Sequence, residues 1–214
     1  MALYACYELH YQGLPGVDDR WEWEPSLLAQ RAELELVFEQ RLCEDLPPVP
    51  TASEEVVPIL WAMTEGHGRS LSGWAEQHGT LAHARELAIH RSAYQLKEAD
   101  PHTWAIPRIA GPAKAALVKI QSDEYGNGDP SAVHAHLFAD SMTALGLDPT
   151  YGAYVDLLPA ATLATTNLIS LLGLHRLLRG ALVGHLAGFE MNSVGPLLVV
   201  AGPAGHRAPR SAVL

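Results

Sequence analysis

An all-α fold is predicted by three features of the sequence. Apolar residues recur at helical spacing, as in Leu34, Phe38 and Leu42, which lie four positions apart. Prolines, glycines and capping residues fall where such runs begin and end. No segment alternates apolar and polar residues convincingly, and the only strand-like run is residues 197–200. The sequence therefore predicts a helical bundle.

Caps and breakers set the order of the helices. The first long helix is expected to begin at Pro25. A second is expected from the capping-box pair Thr51 and Glu54, with Pro58 either kinking it or marking a later start. Residues 151 to about 192 are expected to hold one or two strongly apolar helices. The predicted boundaries lie near Pro25, Pro50, Gly79, Pro101, Pro112, Pro130 and Tyr151.

Composition favours one domain and argues against several classes of partner. The 214 residues are 48% hydrophobic and 18% charged, which is enough for a full core. A net charge of −10 disfavours binding to nucleic acid or to an anionic membrane. The uncharged stretch 157–174 contains Pro159 and Asn167, so it predicts a buried helix and not a membrane span. The absence of a secretory pattern predicts a cytoplasmic location. Cys6 and Cys43 form neither a disulfide framework nor a zinc motif.

The end of the chain differs in composition from the rest. Residues 191–214 contain no acidic or aromatic residue, whereas the preceding 190 residues hold all 24 acids. We therefore predict a helical domain over residues 1–192 and an irregular tail over residues 193–214. Two interpretations of the tail stay open: a disordered terminus rich in Pro and Gly, or an out-of-frame translation of a once helical segment.

Two carboxylates and one histidine are candidate inward-facing ligands. Glu124 shares a helical face with Leu117 and Ile120, which directs its carboxylate toward packed neighbours. His134 lies early in the next helix, across a short reversal, and Glu98 lies near the end of the preceding helix. Oxygen and nitrogen donors from three helices suit iron or manganese.

Each of these residues also has an ordinary structural interpretation. Glu98 can be a solvated charge at a helix end. Glu124 can be a helix-terminal acid near Lys119, and His134 can be a core histidine bonded to a backbone carbonyl. The pattern of residues alone leaves both interpretations open.

Other motifs for metal binding or catalysis are missing from the sequence. Glu86 with His90, and Glu98 with His102, have the spacing Glu-x-x-x-His. Ferritin-like diiron bundles instead repeat Glu-x-x-His, so that class is disfavoured. The absence of Gly-x-Ser-x-Gly, Walker A, Gly-x-Gly-x-x-Gly and His-Glu-x-x-His motifs disfavours the commonest hydrolases, nucleotide-binding proteins and zinc proteases.

Long stretches at residues 7–25, 90–128 and 151–191 resemble bacterial iron-containing redox enzymes of the haem-oxygenase-like diiron superfamily. The similarity covers nearly all of residues 1–192. The resemblance implies that Glu98, Glu124 and His134 are metal ligands. It also implies two ferrous ions per complete domain, O₂ as co-substrate, oxidation of a small organic substrate, an external electron donor and a homodimer.

The C-terminal part departs from the family pattern. The family places His-x-x-x-Asp-x-x-His, or a close variant, on a later helix, and this sequence has no such motif; His206 has no acid or histidine at the needed spacing. His185 and Glu190 are expected to serve in core packing, in hydrogen bonding to a ligand or in substrate contact. We therefore expect a bundle that lacks its final core helix and binds iron weakly.

A missing helix is also expected to leave an apolar face uncovered. The expected members of this face are Leu168, Leu171, Leu172, Leu182 and Phe189. Two rival functions stay open beside the diiron enzyme. The first is a non-catalytic, inactive helical ligand-binding or scaffold protein, which the missing motif favours. The second is a hydrolytic or cofactor-independent helical enzyme, which would act without O₂ or metal.

Overall fold

The computed structural model describes residues 1–45, 52, 55–64 and 71–192, and these ranges are almost entirely α-helical. The helices in them are α1 (Ala2–Glu8), α2 (Pro25–Asp45), α3 (Val56–Thr64), α4 (Leu71–His78), α5 (Leu81–Gln95), α6 (Asp100–Thr103), α7 (Gly111–Glu124), α8 (His134–Ala144), α9 (Ala160–Leu174) and α10 (Arg179–Asn192). No strand occurs in the described ranges, so the all-α prediction is confirmed there. None of these helices is both long and apolar enough to cross a membrane.

Several predicted helix boundaries are confirmed. α2 begins at Pro25, and α4 ends at His78, immediately before Gly79. α7 begins at Gly111, next to Pro112. These are the positions where a proline fits the first turn of a helix or a glycine follows its end. The boundary predicted at Pro50 and the strand-like run 197–200 lie outside the described residues, as does the tail 193–214.

The end of α5 comes earlier than its breaker predicts. Thr80 caps the helix as expected, since its hydroxyl accepts a hydrogen bond from the backbone N–H of His83. The helix then ends at Gln95, and Pro101 lies in the first turn of α6. A proline fits a first helical turn without losing a hydrogen bond, so Pro101 starts a helix here and does not end one. Residues 96–99 form a turn between the two helices.

The helix α9 lies at the centre of the described bundle. It packs against α1, α5, α6 and α10. Leu163 and Ile169 are buried on it, as predicted for this uncharged stretch. The helix approaches α6 closely at Gly173, where an added Cβ would lie 2.7 Å from the backbone oxygen of Pro101. This position therefore has room only for glycine.

The prediction of an uncovered apolar face is wrong for three of its five residues. Leu171, Leu172 and Leu182 are only 3%, 8% and 1% exposed. Leu171 packs in a cluster with Leu3 and Tyr7 of α1. The sequence shows that these leucines belong to strongly apolar helices, but it does not show which helix covers each of them.

The other members of that predicted face differ from one another. Leu168 is partly buried against the cluster that contains Leu172 and Leu182. Phe189 is 40% exposed and is the one member of the five that resembles the prediction. The N-terminal helix and the loop before α7 supply the cover that a later helix was expected to give.

A tight reversal joins α7 to α8. Gly126, Asn127 and Gly128 have backbone φ angles of 71°, 52° and 89°, all in the left-handed region. At Gly126 an added Cβ would lie 2.8 Å from the backbone of Ala132, so the chain returns against itself at this point. The reversal brings the last residue of α7 opposite the first residue of α8.

Candidate metal centre

The three candidate ligands converge. Glu98 lies in the turn after α5, Glu124 is the last residue of α7 and His134 is the first residue of α8. One donor atom from each side chain lies within 4.8 Å of the other two. All three side chains are partly buried. Their predicted convergence is therefore confirmed, and Glu98 is not the freely solvated charge of the ordinary interpretation.

Glu124 and His134 are in direct contact across the reversal. Nδ1 of His134 lies 2.7 Å from Oε2 of Glu124. This oxygen is buried and has no hydrogen-bond donor of good geometry among the described residues, so the contact is a close charge pairing. The neighbouring carboxylate raises the pKa of His134. A cation placed between the two groups would compete directly with the proton on His134.

Glu98 is a carboxyl group in an unfavourable position for a free charge. Burial raises its pKa to about 7, and the charge of Glu124 adds to this effect. Two carboxylates this close, with little water, repel each other unless a proton or a metal cation lies between them. The donor set therefore fits a divalent metal ion, and its oxygen and nitrogen atoms suit iron.

A buried amide links the two carboxylate-bearing segments. Gln121 lies three residues before Glu124 on α7 and is 2% exposed. Its Nε2 donates hydrogen bonds of 2.7 Å to the backbone oxygen of Ala99 and to Oγ1 of Thr103. Ala99 directly follows Glu98, so these two bonds fix the spacing between the candidate ligands.

Glu190, on the last turn of α10, is a further acid near this cluster. Burial raises its pKa first, and the charge of Glu124 raises it further, whereas His134 acts in the opposite direction. The sequence placed Glu190 on a helix resembling the family's without assigning it a ligand role. Its position on the same helix as His185 could have drawn attention to it. The approach of α10 to the cluster, however, depends on tertiary packing.

An aromatic wall borders the cluster. Tyr94, in the last turn of α5, has a pKa raised far above its ordinary value by burial and then by Glu98 and Glu124. Its ring lies 5.9 Å from that of Phe189, measured between centroids. Phe189 in turn lies 4.4 Å from the ring of His185. The partly buried ring of Tyr94 is the part of this wall that limits the access of water, since Phe189 is 40% exposed.

Two histidines, His102 and His185, contact each other next to Phe189. His102 is 2% exposed, and His185 is partly buried. Burial lowers the pKa of each to about 4, so both imidazoles are neutral near pH 7. Neither residue was predicted to pair with the other, because His102 was considered only for its Glu-x-x-x-His spacing to Glu98.

A buried ion pair supports the turn that carries Glu98. The ammonium group of Lys97 contacts Glu8 of α1, and both residues are 1% exposed. The phenol of Tyr151 donates to the other oxygen of Glu8. The ring of Tyr11 lies 4.1 Å from the Lys97 nitrogen. This network ties α1 to the residue that directly precedes the candidate ligand.

Comparison with known families finds a match that includes the candidate ligands. A family model described as “Iron-containing redox enzyme” matches residues 85–204, more than half of the chain. The match contains Glu98, Glu124 and His134 together with most of α5 and all of α6 to α10. No curated protein sequence matches the chain significantly. The predicted family and the predicted all-α, haem-oxygenase-like helical bundle are confirmed. The chain belongs to the iron-containing redox enzyme family.

Proposed function

We propose that this protein is a non-haem diiron enzyme that oxidises a small organic substrate with O₂, and that Glu98, Glu124 and His134 are metal ligands. The convergence of the three donor atoms within 4.8 Å carries the proposal. When bound, the two ferrous ions would supply the electrons and the O₂ binding that side chains alone do not provide. Because the iron is oxidised in such a reaction, the proposal includes an external electron donor.

The chain's own residues have separate tasks in this proposal. Glu98 and Glu124 offset the charge of the metal, and His134 gives a neutral nitrogen once its proton has left. Gln121 holds the two acidic segments together through the backbone of Ala99. The ring of Tyr94 keeps water from one side of the reacting groups.

Three ligands are few for two metal ions. Glu190 brings one more carboxylate into the electrostatic neighbourhood of Glu124 and His134. The short ligand set favours one alternative, a helical protein that binds a small ligand without catalysing its oxidation. The two functions differ in whether iron binds and whether O₂ is consumed. We expect weak iron binding, with a ferrous affinity that depends on each of the three residues.

The test is ferrous loading without oxygen. The purified chain is titrated anaerobically with ferrous iron, bound metal is quantified after gel filtration, and O₂ uptake is followed with an electrode after reductant is added. We expect iron binding that Glu124→Gln weakens at least about tenfold, because loss of a ligand or its partner typically costs 10–100-fold in affinity. Glu86→Gln, on the exposed side of α5, is the matched control.

The outcomes separate the alternatives. Iron binding and O₂ uptake that both fall in Glu124→Gln but not in Glu86→Gln support the diiron enzyme. Iron binding without O₂ uptake favours the non-catalytic protein. Iron that binds equally well to the wild type and to Glu124→Gln contradicts the ligand assignment. Light scattering on the same samples tests for the homodimer that the family resemblance implies.

A further inference from the structure

The phenol of Tyr125 joins the end of α7 to α6. Its oxygen donates a hydrogen bond of 2.7 Å to Oδ1 of Asp100 and lies 3.0 Å from Oγ1 of Thr103. Tyr125 directly follows Glu124. Asp100 lies two residues after Glu98. The side chain of Tyr125 therefore connects the segments that carry two of the candidate ligands.

The backbone of Tyr125 reaches the segment of the third candidate ligand. Tyr125 and Val133 form an isolated antiparallel bridge across the reversal between α7 and α8. Val133 directly precedes His134. The side chain of Tyr125 thus contacts one neighbouring segment and its backbone contacts the other, so this one residue is tied to the surroundings of all three ligands.

The directions of the hydrogen bonds around Tyr125 follow from the chemistry of the groups. A carboxylate oxygen only accepts, so the single phenol hydrogen goes to Asp100, and the phenol oxygen accepts in its contact with Thr103. The hydroxyl of Thr103 also lies 3.2 Å from the backbone oxygen of Ala99, to which Gln121 already donates at 2.7 Å. Nε2 of Gln121 donates to Thr103 as well, at 2.7 Å. These groups form one connected network, in which each bond polarises its neighbours.

The network holds α7 on both sides of Glu124. Gln121 lies three residues before this ligand, and Tyr125 lies one residue after it. Gln121 is 2% exposed, whereas Tyr125 is 38% exposed. The phenol of Tyr125 is therefore the point of the network nearest to solvent, and removing its hydroxyl leaves the buried part of the network in place.

We infer that Tyr125 is a positioning residue of the candidate centre, and that its bond to Asp100 holds the turn of Glu98 against α7 before a metal ion binds. The inference rests on the proposed function, since it concerns the same three ligands. Glu98 and Glu124 repel each other when no cation lies between them, and the bond from Tyr125 opposes that repulsion. A turn that is already in place costs a metal ion less ordering on binding.

Cobalt affinity, followed by visible absorption, tests the inference in a double-mutant cycle. Tyr125→Phe and Asp100→Ala are each expected to weaken binding about tenfold, the lower end of the usual effect of losing a group that orients a ligand. The double variant should bind about as weakly as either single variant, because both changes remove the same bond. Asp100→Asn keeps an acceptor oxygen and should retain most of the affinity.

Tyr154→Phe is the matched control. The phenol of Tyr154 accepts a hydrogen bond of 2.8 Å from the backbone N–H of Asp148, outside the candidate centre. This variant should bind cobalt as the wild type does. Equal affinities of the wild type and Tyr125→Phe overturn the inference, and so do additive losses in the double variant. An Asp100→Asn variant as weak as Asp100→Ala overturns it too, since Asp100 would then act through its charge.

Hydrogen–deuterium exchange of the metal-free protein gives a second measurement that needs no metal. The backbone N–H groups of Asp100 and Thr103 are bonded to the oxygens of Lys97 and Ala99. Tyr125→Phe should speed exchange over residues 96–103 about tenfold, the typical effect of losing one hydrogen bond to a charged group, and Tyr154→Phe should not.

The two measurements distinguish a failure of this inference from a failure of the proposed function. Faster exchange in Tyr125→Phe, in a protein whose wild type binds no cobalt, supports the hold of Tyr125 on the turn and refutes the metal-binding function. Cobalt binding that is the same in the wild type and Tyr125→Phe, with unchanged exchange, retains the function and refutes the positioning role.

Discussion

Gln121 donates a hydrogen bond of 2.7 Å to the backbone oxygen of Ala99, and so joins α7 to the turn that carries Glu98. We expect Gln121→Leu to lower the free energy of unfolding by about 1–3 kcal/mol, since it removes two buried hydrogen bonds that are typically worth about 0.5–1.5 kcal/mol each. It should also weaken manganese binding, because Glu98 is no longer held opposite Glu124. Calorimetric titration and thermal unfolding measure the two effects. Gln77→Leu, on the exposed side of α4, is the control; equal losses in both variants would refute the link.

The reversal between α7 and α8 gives a prediction with an internal control. Gly126→Ala must place a Cβ 2.8 Å from the backbone of Ala132, whereas Gly128→Ala meets nothing within 4 Å. Both substitutions carry the strain of a positive φ, of the order of 1–3 kcal/mol. Only Gly126→Ala should also separate Glu124 from His134. We expect it to be the less stable variant and to lose cobalt binding, followed by visible absorption. Equal stability and equal cobalt binding of the two variants would show that the close approach of Gly126 to Ala132 is not needed to hold Glu124 near His134.

The metal-free protein should become less stable as the pH rises. Glu98 has a folded pKa of about 7, above its ordinary value of 4.5, so the folded state holds more protons than the unfolded state between these pH values. The stability that this proton gives is present at low pH and is lost as the pH rises through about 7. The raised pKa of His134 acts in the same direction.

The measurement is the melting temperature of the metal-free protein as a function of pH. Glu98→Gln should flatten the fall between pH 4.5 and about 7. Glu86→Gln should leave the slope unchanged. Because a change of 1 kcal/mol shifts the melting temperature of a chain of this size by about 2–4 °C, the effect is measurable. A melting temperature that rises over this interval with the same slope in wild type and Glu98→Gln would contradict the assignment.

Removing one member of the buried Glu8–Lys97 ion pair should destabilise the protein more than replacing both members with apolar residues. Lys97→Met leaves the carboxylate of Glu8 buried without its cation, and we expect a loss of about 3–5 kcal/mol. The double variant Glu8→Leu with Lys97→Met removes both charges and should recover much of that loss, because burying two ions has its own desolvation cost. Denaturant unfolding of the wild type, of Lys97→Met, of Glu8→Leu and of the double variant decides this. A double variant as unstable as the sum of the single changes would show that the two residues act separately.

The sequence predicted the convergence of the three candidate ligands better than it predicted their surroundings. Periodicity placed Glu124 on the packed face of α7, and the short reversal necessarily brought it near His134. The position of Glu98 was less predictable, because α5 ends at Gln95 and this candidate ligand lies in a turn whose shape depends on α1 and α7. A sequence shows which face of a helix is apolar, whereas the identity of the covering helix depends on the packing of the whole bundle.

The pairing of His102 with His185 could not be predicted from the sequence either. The two residues are separated by 83 positions, and nothing in their local sequence distinguishes them from ordinary core histidines. Their hydrogen bond exists because α6 and α10 pack against each other. Long-range contacts of this kind carry no periodic signal, and Leu171 was assigned to the wrong environment for the same reason.

The short reversal at Gly126 also has a consequence for the order of folding. Glu124 and His134 are ten positions apart, so closing the loop between them costs little chain entropy, whereas Glu98 joins from a more distant segment. We expect the pair on α7 and α8 to form early and the turn after α5 to dock later. A metal ion present during synthesis would therefore first meet a half-site of one carboxylate and one imidazole, and would act as a template on which the remaining ligands assemble.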